Sequence, residues 1–297
     1  MPRKTKACKY GTYTYFDNDY IGLTFEHAGV FSDEEVQRLL SLIDKDSIVV
    51  DAGAHIGAFT IPMAQKTAHV YAFEPQRAIF ELLQENVRQN NLANVTAVPL
   101  ALGASNGPVR LSETPYDGEF INTGMPAIQR NSRHKPNAEM ITLYRYWSQH
   151  QIKRLDLLKM DVEGWELEVL KGIGDLIKRF RPTIYCENGG DDFEDLIRYL
   201  IGENYTLYWH FPRYFNPFAG EDWDKISMNM LCVPKDVDRK ADISGLEPVL
   251  SPREDWQDGY VRGKTNILLA PRTLLPLGTA PLFTVQSSSD KARDIPA

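Results

Sequence analysis

The sequence predicts an α/β protein with a mostly parallel sheet and helices on both faces. Three observations carry that prediction. Between residues 47 and 210, short apolar or β-branched runs alternate with amphipathic helical segments, the pattern of parallel strands joined by helical crossovers. The first of these strands runs into a glycine-bearing loop, Asp51-Ala52-Gly53-Ala54-His55-Ile56-Gly57. The second ends on an acid, Glu74, about 20 residues further on, where doubly wound folds bring a carboxylate to a ribose.

The elements follow in order. Tyr10–Val30 mixes aromatic, Thr and polar residues around Asp17-Asn18-Asp19, which predicts a β-hairpin turning at that cluster. Ser32 stands three residues before Glu35, a capping-box spacing that opens a short helix through Leu39, Leu40 and Ile43. Ser47–Asp51 is too short and too β-branched for a helix. Gly57–Gln65 reads as a helix and His69–Glu74 as a strand. Pro75 suits the first position of the next helix, with Phe80, Leu83 and Val87 along one face. Asn94–Leu100 and Leu155–Asp161 are the third and fourth strands, followed by a helix over Glu163–Phe180. Thr183–Glu187 is a fifth strand, Phe193–Leu200 a helix, and Tyr205–His210 and Met228–Val233 close the sheet. Residues 1–44 are thus an N-terminal hairpin and helix, and 45–234 the core with an insertion over about 105–149. Residues 235–297 form an extension rich in Pro and charge, with disorder expected over Ser287–Ala297.

Composition narrows the partners. A formal charge of −7 without a basic run disfavours nucleic acid as the main partner. No apolar run reaches the roughly 18 residues needed to span a bilayer. Three cysteines, Cys8, Cys186 and Cys232, are far apart and read as free thiols filling core space. With no apolar signal segment after Met1-Pro2-Arg3-Lys4, the cytoplasm is the expected compartment. His134, His150 and His210 lack metal-ligand spacing, so no metal site is expected from them. Oligomeric state has no signature here.

In an open α/β sheet, ligands bind beyond the carboxyl ends of the strands. Gly53 allows a tight turn and close backbone approach there, and Gly57 lets the next helix start nearby. A dinucleotide enzyme would place a glycine where this loop has Asp51. A carboxylate at that point repels a pyrophosphate but accepts hydrogen bonds from a cationic amino-acid group. S-adenosylmethionine has no phosphate and carries an α-ammonium and a sulfonium, so the charge match favours it over a nicotinamide cofactor.

Four blocks then come into play, in order: VVDAGAHIGAFT, VYAFEP, LLQENVRQNNLANVTAVPLALG and LDLLKMDVEGWELEVLKG. Together they resemble the FkbM family of methyltransferases over about Ile48–Glu187. The resemblance implies a Rossmann-like class I methyltransferase, with a mostly parallel seven-stranded sheet whose last strand is antiparallel. It also implies S-adenosylmethionine as cofactor and O-methylation of a sugar, glycan or secondary metabolite. Asp51, Gly53, Ala54, His55, Gly57, Glu74, Pro75, Ala101 and Asp161 are the positions expected along the cofactor. The sequence departs from the family's pattern at Thr142-Leu143-Tyr144, where the family usually shows Thr-Leu-Asp.

Methyl transfer to a hydroxyl needs alignment of donor and acceptor and a destination for the acceptor's proton. Asp161 and Glu163 end the fourth strand and Glu187 the fifth, so Asp161 or Glu163 could take the proton while Glu187 orients the acceptor. Asp161 could equally cap the following helix. Asn122-Thr123-Gly124 resembles a family element near the cofactor, or is a plain turn. The ring of His55 could simply fill space. The aromatic run Tyr205–Phe218 fits core filling better than a sugar-stacking surface. An amine methyltransferase acting on nucleobases would carry Asn/Asp-Pro-Pro-Tyr where this chain has DVEG. A non-catalytic module of the same fold would not need Asp51, Gly53, Glu74 and Asp161 together.

Overall fold

A computed structural model describes residues 2–114, 121–129, 132–188, 192–214, 225–238 and 241–249. The chain opens with strands β1 (Arg3–Cys8) and β2 (Gly11–Phe16), then helices α1 (Tyr20–Ala28) and α2 (Asp33–Ser41). The core follows as β3 (Ile48–Ala52), α3 (Thr60–Ala64), β4 (His69–Phe73), α4 (Arg77–Gln89) and β5 (Val95–Val98). The insertion holds β6 (Ala101–Leu102), β7 (Gly107–Val109), β8 (Ala138–Ile141) and α5 (Leu143–His150). Next come β9 (Leu157–Met160), α6 (Glu166–Gly172), α7 (Leu176–Phe180), β10 (Thr183–Glu187), α8 (Phe193–Gly202) and β11 (Tyr205–His210). The two-residue strands β12 (Arg213–Tyr214) and β13 (Lys225–Ile226), β14 (Asn229–Pro234) and β15 (Glu247–Pro248) complete the described chain.

The main sheet runs β15-β11-β14-β10-β9-β3-β4-β5. Pairing is parallel from β5 through β4, β3 and β9 to β10, and antiparallel where β14 meets β10 and β11. Seven strands therefore give the expected α/β order, with β14 the reversed one. The eighth, β15, comes from the segment read as an extension, because the outer edge of β11 offers unpaired backbone groups that Glu247 and Pro248 engage.

Several local expectations need correction. The first hairpin turns at Lys9-Tyr10, not at Asp17–Asp19. Asp19 instead caps α1, accepting from the Ile21 and Gly22 amides. Ser32 makes no cap bond and Glu35 turns inward, so the expected capping box does not form. α3 begins at Thr60 rather than Gly57, and Pro75 precedes the N-cap Gln76 of α4. The long helix expected over Glu163–Phe180 is two, since Gly174 adopts φ +61° between them. Helix α5 of the insertion was not anticipated. Phe215, Phe218, Ser287–Ala297 and most of the extension lie outside the described residues.

The N-terminal elements share one core with the sheet. Tyr13, Tyr15, Phe25, Val36 and Leu39 pack with Val49, Ile61, Met63, Val70 and Leu157. Side-chain amides of α4 also bond the free edge of β2. Asn86 exchanges bonds with Thr14 N–H and C=O at 2.7 and 3.1 Å, and donates to Ile56 O at 2.8 Å. The N-terminal hairpin is thereby tied to the loop that follows β3.

Candidate functional site

β3 delivers Asp51 fully buried to the carboxyl edge of the sheet, and the chain turns away at Gly53 with φ +75°. A Cβ on Gly53 would stand 1.8 Å from Asp161 O, so the glycine is required by the neighbouring strand's end as well as by the turn. Gly53 and Ala54 both donate to Phe73 O, at 3.0 and 2.9 Å. The next amide, His55 N–H, donates to Glu74 Oε2 at 3.0 Å, and Gln76 N–H to Glu74 Oε1 at 2.8 Å. One carboxylate thus fixes both the loop after β3 and the entry to α4. Burial pushes the Glu74 carboxyl up to about 7, against the pull of those two amides.

A buried lysine that sequence reading overlooked sits at the centre. Lys159, in β9, is 1% exposed. Its Nζ lies 3.3 Å from Asp51 Oδ1 and 3.7 Å from Asp161 Oδ2, donates to Gly53 O at 3.3 Å, and stands 4.8 Å from the Phe59 ring centroid. Burial alone would lower its pKa, but Asp51, Asp161 and Glu35 outweigh it and hold the ammonium above the ordinary lysine range. The signal was present in the sequence: a lysine inside the apolar run Leu157-Leu158-Lys159-Met160 has to find a countercharge. Thr60 donates to the other Asp51 oxygen, Oδ2, at 2.6 Å.

Asp161, Glu163 and Glu187 come together at the ends of β9 and β10, each offering one carboxylate oxygen within 4.8 Å of the others. Glu163 holds φ +54°, a strained backbone for a non-glycine residue. Burial first, then Asp161 and Glu166, push the Glu163 carboxyl up to about 8. Glu187 is raised as well, by burial first and then by Asp161, Glu163 and Glu166. Acids so close can share a proton or a divalent cation. Asp161 does not cap α6, which starts five residues later without a side-chain cap; Glu166 Oε1 takes the Val162 N–H instead at 3.0 Å.

Of the positions expected along the cofactor, Asp51, Gly53, His55, Glu74 and Asp161 are brought into one connected set. Gly57 and Ala54 face the core: a Cβ on Gly57 would meet Leu83 Cδ1 at 3.1 Å, and Ala54 packs with Ala72 and Leu83. Ala101 opens β6, pairing with Met140. Residues outside the expectation also join. Glu35 of α2 accepts from Asn229 Nδ2 at 3.0 Å and from the Tyr185 hydroxyl at 3.4 Å, both on the sheet face of Glu187. Tyr205 and Trp209 are buried, as core filling requires.

The concentration of raised acids sets a pH dependence. Glu35, Glu74 and Glu166 are each held near 7, first by burial, against an ordinary value of 4.5. A folded-state pKa above the unfolded one means stability that is complete below about pH 4.5 and lost as pH rises through 7. Each fully buried case is worth on the order of 3 kcal/mol. Thermal midpoints should therefore be higher at pH 5.5 than at pH 8. Glu35→Gln, which keeps an acceptor oxygen, should raise the pH 8 midpoint by several degrees, at roughly 2–4 °C per kcal/mol. A midpoint that climbs from pH 5.5 to 8 would contradict this.

The ligand this arrangement suits is cationic. Asp51, Glu74, Asp161, Glu163 and Glu187 gather around Lys159, and a further cation among them would draw the raised carboxyls into their ionised forms. The bonded amides of the loop after β3 are turned onto Phe73 O and Glu74 rather than into a phosphate cradle. Comparison with known proteins agrees. Residues 51–207 match the methyltransferase FkbM domain. Methyltransferase 1 of Beauveria bassiana is 32% identical over 149 residues, 44% of this chain and 59% of that protein. Hexuronic acid methyltransferase AglP of Haloferax volcanii is 29% identical over 171 residues, 56% of this chain and 66% of that protein. The chain thus spans less than two thirds of either. A crystal structure of methyltransferase FkbM from Methylobacillus flagellatus KT aligns over 64% of this chain and 44% of that one, at 18% identity and a TM-score of 0.43. A Methanocaldococcus jannaschii protein named tRNA(Phe) (4-demethylwyosine(37)-C(7)) aminocarboxypropyltransferase is also similar, 38% identical over 82 residues, 27% of this chain and 31% of that protein, so these likenesses leave a nucleic-acid partner open. No helix among the described residues is long and apolar enough to cross a membrane. The domain match across half of the sequence, on a sheet of this order, makes the chain a member of the FkbM family of S-adenosylmethionine-dependent methyltransferases.

Proposed function

We propose that the protein methylates a hydroxyl group of a neutral sugar, glycan or related secondary metabolite. The observation that carries this reading is the trio Asp161, Glu163 and Glu187. S-adenosylmethionine supplies an electrophilic methyl group on a sulfonium. As the acceptor oxygen forms its bond to that carbon and the carbon–sulfur bond breaks, the hydroxyl must give up a proton. A carboxylate of the trio receives it, since Glu163 and Glu187 both hold protons more tightly than ordinary acids. Lys159 meanwhile anchors Asp161 to the loop that holds the methyl donor. The AglP relative supports a sugar acceptor, whereas three acids at the acceptor side favour a neutral hydroxyl over a carboxylate-bearing one. Cys186 and Cys232 are free thiols on neighbouring strands, the state a reducing compartment such as the cytoplasm maintains.

Two measurements follow. Transfer of a labelled methyl group to a panel of neutral sugars and glycans should identify an acceptor. Label appearing only in tRNA would overturn the reading, and absence of transfer to any acceptor would mark a binding module. Glu74→Ala should weaken S-adenosylmethionine by roughly 1.5–3 kcal/mol, the scale of a hydrogen bond to a charged group, with a smaller loss in Glu74→Gln. Unchanged affinity in both, measured by calorimetry on folded protein, would remove Glu74 from the site.

A further inference from the structure

His55 Nδ1 is buried and has no hydrogen-bond partner among the described residues. The other ring nitrogen, Nε2, lies 2.8 Å from Thr123 Oγ1. The proton arrangement of that pair follows from the next link. Asp19 Oδ1 accepts from both the Thr123 N–H at 2.8 Å and the Thr123 hydroxyl at 2.7 Å. Asp19 Oδ2 accepts from the Ile21 and Gly22 amides at 3.1 and 3.2 Å. A carboxylate can only accept, so the Thr123 hydroxyl points its single proton at Asp19 and can only accept from His55. Nε2 therefore carries the ring proton. In a neutral imidazole Nδ1 is then a bare acceptor. Burial holds the His55 ring below its ordinary pKa, which keeps it neutral.

Three separate parts of the chain build this arrangement: the N-cap of α1, the Asn122-Thr123-Gly124 turn and the loop after β3. Gln76 Nε2 secures the turn further, donating to Thr123 O at 2.9 Å. An aliphatic side chain would fill the same space without leaving a buried acceptor unpaired, an arrangement that costs its desolvation for nothing unless a ligand supplies the donor. The ring also lies in the field of Asp19 and Asp161, which favours a positively charged donor, with the Lys159 ammonium opposing them more weakly.

We propose that Asp19 and Thr123 lock His55 in its Nε2–H form so that Nδ1 accepts a hydrogen bond from the α-ammonium of S-adenosylmethionine. His55 thereby reads the amino-acid end of the methyl donor through its ring, in addition to the backbone contact it makes with Glu74. The inference rests on the cofactor reading above, and its test separates the two. Calorimetry would compare S-adenosylhomocysteine with 5′-methylthioadenosine, which keeps the adenosine and thioether but lacks the amino-acid end. His55→Asn tolerates the positive φ of 49°. It should weaken S-adenosylhomocysteine about tenfold or more while leaving methylthioadenosine within about twofold. Thr123→Val should give a loss of a few-fold for S-adenosylhomocysteine alone, and Thr123→Ser should restore it. In ¹⁵N spectra of the unaltered protein, His55 should be the Nε2–H tautomer, with the Nδ1 resonance moved by S-adenosylhomocysteine and not by methylthioadenosine. Equal losses for the two ligands, an Nδ1–H tautomer, or an unmoved Nδ1 resonance would overturn the inference alone. Failure of the unaltered protein to bind either ligand would overturn the cofactor reading and this inference with it.

Discussion

Gly53→Val should abolish cofactor binding and remove a large part of the protein's stability. From sequence, the expectation is a blocked cofactor loop on an otherwise folded sheet. The structure makes the damage wider, because the added Cβ would stand 1.8 Å from the Asp161 carbonyl oxygen, a backbone atom that cannot step aside cheaply. The residue also holds φ +75°, which valine with its branched Cβ resists. Left-handed backbone costs an L-residue roughly 1–2 kcal/mol and overpacking roughly 1–3 kcal/mol. The loop and the end of β9 must separate to relieve the clash, and Lys159, which bonds Gly53 O and faces Asp161, loses its geometry as they do. Chemical denaturation should show a lowered midpoint, and calorimetry no heat with S-adenosylhomocysteine. Gly53→Ala should show the same changes to a lesser degree. A Gly53→Val protein with normal stability and normal binding would mean that the contact between the loop and Asp161 is not as described.

Asp161→Asn should lower turnover by about 10²–10⁴-fold while cofactor affinity stays within a few-fold, the range associated with removing a positioned acid–base group. The substitution keeps an acceptor oxygen toward Lys159 but removes the charge from the trio. Glu163→Gln is its partner measurement. With Glu163 pushed up to about 8, turnover of the unaltered protein should rise with pH through that region as the base gives up its proton. Glu163 and Glu187 stand close enough for the protonation of one to influence the other, so the limb belongs to that pair rather than to one residue. The variant that flattens the limb and loses turnover contains the carboxylate that receives the acceptor's proton. Full turnover in both variants would move the chemistry away from DVEG, toward Glu187.

The parts of the site that were legible in the sequence are those set by short spacing. Asp51–Gly57 starts in the last two residues of β3 and runs into the loop after it, Glu74 follows β4, and the strands Thr183–Glu187 and Tyr205–His210 have the bounds that their β-branched and aromatic runs suggest. What escaped depends on contacts distant along the chain. Asp19 sits in a turn-like cluster, and only the docking of Thr123, 104 residues later, shows its second oxygen at work beside its cap. Glu35 has capping-box spacing, yet Tyr185 and Asn229 draw its carboxyl inward. Gly174 inside a helical periodicity is a break only because the chain must return to start β10. Thr142-Leu143-Tyr144, where the sequence departs from the family's pattern, is the start of α5: Thr142 caps it and Leu143 is buried. Strand ends alone place Asp161 and Glu163 at the cleft with Glu187 beside them; the Lys159 ammonium beneath them is a property of the folded sheet.

The central claim is that the carboxyl edge of this sheet holds S-adenosylmethionine. Calorimetric titration of the unaltered protein tests it most directly, with S-adenosylmethionine, S-adenosylhomocysteine and NAD as ligands. The account predicts saturable binding of the first two, lost in Gly53→Val and weakened in Glu74→Ala, and no binding of NAD. Binding of NAD without a response to S-adenosylmethionine would contradict it.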